Sequence, residues 1–158
     1  MKKYSIEIKW AILFVIAQLL WMLLERVAGL HNENIEHHAV FTNFFMVVAI
    51  AVYVVALLDK RKNSFGGKMN WIQGFISGLI ITLGVTILTP LSQYITSTLI
   101  TPDYFDNMIA FTVESGQKSL EEAEAYFNLK NYMIQSTMYA PVAGLITSAI
   151  VAIFTRKK

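Results

Sequence analysis

One stretch, "LLERVAGLHNENIEHHAV" at residues 23 to 40, gathers three histidines and three carboxylates behind a long apolar run. Imidazole nitrogens and carboxylate oxygens are the donors that divalent transition metals take from proteins. His31, Glu33 and His37 are the residues a metal site here would use, because Glu33 and His37 are four apart and share a face if a helix starts early. The spacing matches neither HExxH nor any other zinc signature. His37 and His38, being adjacent, point to different faces of a helix and chelate poorly together. The stretch therefore reads as the wet end of a hydrophobic hairpin, with no metal and no other cofactor expected.

Glu25 and Arg26 raise a second chemistry. Charges are expensive inside lipid unless they face a bundle interior or reach the headgroups. With Gln135 from a later apolar run they define a candidate polar cluster, suited to a proton relay or to an anion-binding rim. Otherwise they act as an interfacial pair that orients the first helix. Gln18, Gln73, Gln93 and Gln135 are more simply read as hydrogen-bonding glue between helices. No catalytic residue is assigned: there is no GxSxG, P-loop or GxGxxG. The absence of cysteine removes thiol nucleophiles, thiolate metal sites and disulfides.

The elements that must hold these residues are long and apolar. Hydrophobic residues make up 55% of the 158, and charged residues only 15%, where a soluble chain has about a quarter charged. The apolar residues cluster into four spans, near 8–30, 38–58, 70–100 and 132–154. A bilayer core of ~30 Å needs ~20 such residues in a helix. Lys2 and Lys3 before the first run resemble a signal peptide, but Glu25–Arg26 is a poor cleavage context, so the run is read as a span. Lys2, Lys3, Lys9, Lys60, Arg61, Lys62, Lys68, Arg156, Lys157 and Lys158 fall on one side, against Lys118 and Lys130 with eight acidic residues on the other. That bias places both termini in the cytoplasm. A net charge of +2 with no basic stripe excludes nucleic acid as partner.

The expected fold is an all-α integral membrane four-helix bundle in a single domain, residues 1–158. Gly74 and Gly78 on the third span and Gly144 and Ser148 on the fourth are spaced for close helix packing, either with each other or as a homodimer seam. Pro90 and Pro141 should kink their helices. Residues 101–130 should form a lid of two short amphipathic helices. The first has Thr101 as N-cap, Pro102 at its first position and Gly116 as its stop; Ser119 and Glu122 form a capping box for the second.

A Gly-Gly turn, "WIQGFISG", "TPLSQYI", "TPDYFDNMI", "VESG", "EEAEAYFNL" and "APVAGLITSAIVAIF" before terminal basic residues form a recognisable series. It resembles the bacterial membrane-protein family called domain of unknown function 4199, most specifically over residues 66 to 154. The resemblance implies four transmembrane helices and no established activity. It also implies occurrence beside membrane glycosyltransferases, and hence an accessory role in envelope glycolipid assembly. The expectation is a non-enzymatic inner-membrane protein whose partners are the lipid bilayer and a second membrane protein or another copy of itself. The alternative is a small transporter or lipid-handling protein using Glu25, Arg26 and Gln135. A third expectation, a metal-dependent membrane enzyme built on the His/Glu stretch, would require a bound ion.

Overall fold

Gly29 decides where the first helix ends. In the computed structural model, which describes residues 4–157, α1 runs Ser5–Val27. Gly29 has φ of 74°, which an L side chain adopts only with strain. Its N–H donates to the Arg26 carbonyl (3.0 Å), while the Leu30 N–H reaches back to the Glu25 carbonyl (3.0 Å). This pair of bonds is a Schellman stop, and the buried Leu30 supplies its apolar contact. The expected continuation of the span to residue 30 therefore does not occur: the helix ends at Val27 and the chain reverses at Gly29.

The chain continues as α2 (Ile35–Phe41), a 3-10 turn (Thr42–Phe44) and α3 (Phe45–Ser64), together forming one apolar rod. α4 (Trp71–Ile95) starts at Asn70, whose side chain caps Gln73 N–H while Gln73 caps Asn70 N–H. It passes through Pro90 and finishes in a π turn, Thr96–Ile100. α5 (Tyr104–Glu114) and α6 (Leu120–Tyr126) form the connection between the last two spans, and α7 (Leu129–Thr155) passes through Pro141. Ser119 and Glu122 form a capping box on α6, and Gly116 leaves α5 with φ of 70°. Thr101 does not cap α5. Its hydroxyl bonds the Thr96 carbonyl instead (3.1 Å), closing the π turn, and α5 begins three residues later.

Four helical stretches, Ser5–Val27, Ile35–Ser64, Trp71–Ile100 and Leu129–Thr155, are long and apolar enough to cross a membrane. The shortest, at 23 residues, spans about 35 Å at ~1.5 Å per residue. Outward-facing Leu83, Ile87, Ile146 and Ile150 are exposed, as lipid-facing side chains should be. The chain is an all-helical, multi-pass membrane bundle.

Helices α4 and α7 make the tightest contact. A Cβ added to Gly78 would lie 2.6 Å from Ser148 Cβ, and one on Gly144 would lie 2.3 Å from Thr82 Cγ2. Lipid gives no hydrophobic drive for association, so such close backbone approach is what holds the pair. Across the seam Tyr53 OH and Thr82 Oγ1 share a hydrogen bond of 2.8 Å, tying α3 to α4. The buried apolar core, including Ala11, Leu57, Ile81, Val85 and Val151, fills the half of the bundle nearer the termini.

Candidate functional site: a His-Glu-His cluster under an aromatic lid

The Schellman reversal brings His31 back onto the end of α1. Glu25, 2% exposed, points into the bundle. Trp21, one turn earlier on α1, donates its indole N–H to Glu25 Oε1. His31 Nε2 lies 3.1 Å and His38 Nε2 3.4 Å from the other oxygen, Oε2. His31 comes from the connector and His38 from α2, so three consecutive pieces of chain converge on one carboxylate. One ligating atom from each of the three residues lies within 4.8 Å of the others.

The lid closes over them. Tyr104, at the start of α5, stands against both imidazoles, with ring centroids 5.3 Å from His31 and 5.0 Å from His38. Its hydroxyl lies 3.4 Å from His38 Nδ1 and 3.4 Å from the Tyr132 hydroxyl on α7. Burial pushes the Tyr104 phenol well above the ordinary tyrosine range, with the neighbouring Tyr132 adding to the effect. It is a neutral hydrogen-bonding group. Asn107, one turn along α5, donates to the His31 carbonyl (2.9 Å) and locks the lid to the hairpin.

The candidate metal ligands and polar-cluster residues named from the sequence now have places; Lys2, Lys3 and Lys158 lie outside the described residues. His31 belongs to the cluster. Glu33 is exposed, and His37, with 59% of its side chain exposed, faces Glu36 outside the cluster. His38 takes the position that the face argument had assigned to His37, because α2 begins only at Ile35 and turns that face inward. Glu25, Arg26 and Gln135 do not form one cluster: Arg26 is exposed, and exposed Gln135 accepts from Tyr126 at 3.4 Å. None of the hydrogen bonds of Glu25 among the described residues goes to Gln135. Tyr104 and Trp21 were missed as site residues. The available signals were Trp21 four residues before an intramembrane glutamate and an aromatic at the head of the lid.

A small cleft of about 60 Å³ adjoins the cluster, lined by Arg26, His31, Asn32, Asp103, Tyr104 and Asn107 among others. His31 Nδ1 is buried and has no hydrogen-bond partner among the described residues.

The opposite end holds a second buried polar group that the sequence reading passed over. Glu7 on α1 is 1% exposed and pairs with Lys60 of α3 at 2.7 Å, and Ser77 of α4 donates to the same carboxylate oxygen (3.2 Å). Lys60 was counted among the basic residues that set the orientation; it is 7% exposed. Lys9 and Trp10 both reach Asp59 beside it. Charged groups at this depth persist only when paired. These pairs join α1 to α3 and, through Ser77, to α4.

No curated protein and no solved structure matches the chain. A family model, "Protein of unknown function (DUF4199)", matches residues 9–157. That match takes in the first span from residue 9, the other three spans, the lid and every residue of the His-Glu-His cluster, and the chain belongs to this family.

Proposed function

We propose that the protein is a non-enzymatic accessory subunit of the bacterial inner membrane, with both termini in the cytoplasm and the lidded cluster on the outer side. The observation that carries this reading is the filled middle of the bundle. Gly78 rests on Ser148, Gly144 rests on Thr82, and Thr82 bonds Tyr53, so side chains from three helices occupy the midplane between the Glu7 and Glu25 groups. A transporter needs a polar route there; a packed scaffold does not. The accumulation of basic residues at the end bearing the termini supports the orientation.

An accessory subunit must have a partner. Exposed apolar residues such as Val142, Ile146 and Ile150 on α7 offer a lipid-facing surface for a second membrane protein, and a component of envelope glycolipid assembly is the partner favoured by the family resemblance. Purification in mild detergent should recover a stoichiometric membrane partner. A monodisperse monomer that crosslinks to nothing in native membranes would refute the proposal. Orientation is tested separately: the chain has no cysteine, so single cysteines at Lys62 and Lys118 should label from opposite faces, with Lys118 the outer one.

A further inference from the structure

We propose that Glu25, His31 and His38 bind one divalent transition-metal ion, zinc foremost, at the outer end of the bundle. The first ground is geometric. Zinc holds nitrogen and oxygen donors at about 2.0–2.1 Å in a tetrahedron, which sets neighbouring donors about 3.3 Å apart. Glu25 Oε2 lies 3.1 Å from His31 Nε2 and 3.4 Å from His38 Nε2. Two edges of the tetrahedron are therefore already close to that length, and all three donor atoms lie within 4.8 Å of one another.

The second ground is the surrounding shell. Ligating imidazoles use their other ring nitrogen to hydrogen-bond a fixed partner, and ligating carboxylates are themselves held by hydrogen bonds. His38 Nδ1 faces the Tyr104 hydroxyl, and Glu25 Oε1 accepts from the Trp21 indole. Oε1 of the carboxylate is thus restrained while Oε2 is left to the two imidazoles. The set is two neutral nitrogens and one carboxylate, a combination that suits zinc and neighbouring first-row ions.

The third ground is what remains unsatisfied. His31 Nε2 faces Glu25 Oε2, while its buried Nδ1 meets no described residue. Buried polar atoms are rarely left so. With an ion on both Nε2 atoms the imidazole protons reside on Nδ1. His38 Nδ1–H then donates to the Tyr104 oxygen, and His31 Nδ1–H can donate to water in the neighbouring cleft. The cleft of about 60 Å³ has room for such waters, since one needs roughly 15 Å³. Three protein donors leave a fourth position for water, and Tyr104 makes the lid part of the ion's surroundings. The proposal is independent of the accessory role: the ion would pin the first hairpin whether or not a partner is found.

The test uses the full chain in detergent, carrying a histidine-free tag, stripped with chelator and titrated with Zn²⁺ against a fluorescent competitor, then with Co²⁺ for its visible absorption. The proposal expects one ion per chain. His38→Ala and Glu25→Gln should weaken zinc binding at least 100-fold, and Tyr104→Phe about 10-fold. His37→Ala and Glu33→Ala should bind as the unaltered protein does. Cobalt should give the intense bands of a four- or five-coordinate site, absent in His38→Ala. Metal-free melting of each variant separates lost ligands from lost fold, and His38→Gln replaces His38→Ala if the latter unfolds. Binding below one ion per five chains, equal losses in His37→Ala and His38→Ala, or only weak octahedral cobalt absorption in the unaltered protein would overturn it.

Discussion

Gly78→Ala tests whether the α4–α7 seam is the structural spine of this bundle. The added Cβ would meet Ser148 Cβ at 2.6 Å and Ser148 Cα at 3.2 Å. Carbon atoms rest about 3.5–4.0 Å apart, so the helices must separate by roughly 1 Å. A Cα cannot rotate away as a side-chain tip can. Overpacking of this kind costs about 1–3 kcal/mol, against which alanine recovers about 0.5–1 kcal/mol of helix propensity over glycine. The expected net loss is about 1–2 kcal/mol, seen as a lower melting temperature in detergent by roughly 2–8 °C. Ser148→Gly removes the Cβ and Oγ contacts at 2.6 Å and leaves only the Cα at 3.2 Å, so the double variant should be more stable than the sum of the single changes predicts, by about 1 kcal/mol. A Gly78→Ala protein as stable as the original, with additive behaviour in the cycle, would refute the reasoning. If instead Gly78→Ala left melting unchanged but split a dimer into monomers, the small-residue stripe would be a seam between copies rather than within one.

Three further outcomes follow from the same structure. Lys60→Met should cost about 3–5 kcal/mol by leaving the buried Glu7 carboxylate without its cation, and Glu7→Gln added to it should restore part of the loss; chemical denaturation in detergent measures both. Gly29→Ala forces a side chain to φ of 74° and towards Asn34 Nδ2 at 3.0 Å, costing about 1–2 kcal/mol, and it should weaken zinc binding because the reversal that returns His31 to Glu25 is disturbed. Glu122 has its carboxyl held below the usual range by the Ser119 backbone N–H. Its contribution to α6 should be complete above the unfolded-state value and disappear as pH falls through the lower folded one. The protection of the Ser119 amide, its exchange rate divided into the intrinsic rate at each pH, should therefore fall in acid, and should show no such fall in Glu122→Gln.

The family match carries no chemistry to transfer to the cluster. It also means that neighbouring members provide a direct test of whether Glu25, His31 and His38 change together, a question of contact rather than of fold.

Sequence alone determined the solvent of this protein and its gross order. Four apolar runs with sparse charge have only one stable environment, and helices are what a single chain segment can form there while satisfying its own backbone. Local signals carried equally well: Ser119 and Glu122 cap each other three residues apart, and Gly116 ends its helix, because both effects act within a turn. The small residues of α4 and α7 were visible as a spacing, but the spacing does not say which faces meet. Tertiary structure decided that, and it decided the site. Glu33 and His37 have the right residue types, yet a start of α2 at Ile35 turns them outward and His38 inward. Gly29 sits in the sequence as a small residue before a leucine; only its left-handed turn shows that it ends α1 and lays His31 on Glu25. Glu7 and Lys60 are 53 residues apart, and nothing local joins them. Long-range pairing between charges depends on where the helices cross, and that is set by close backbone contacts such as Gly84 on Ala11 and Gly78 on Ser148.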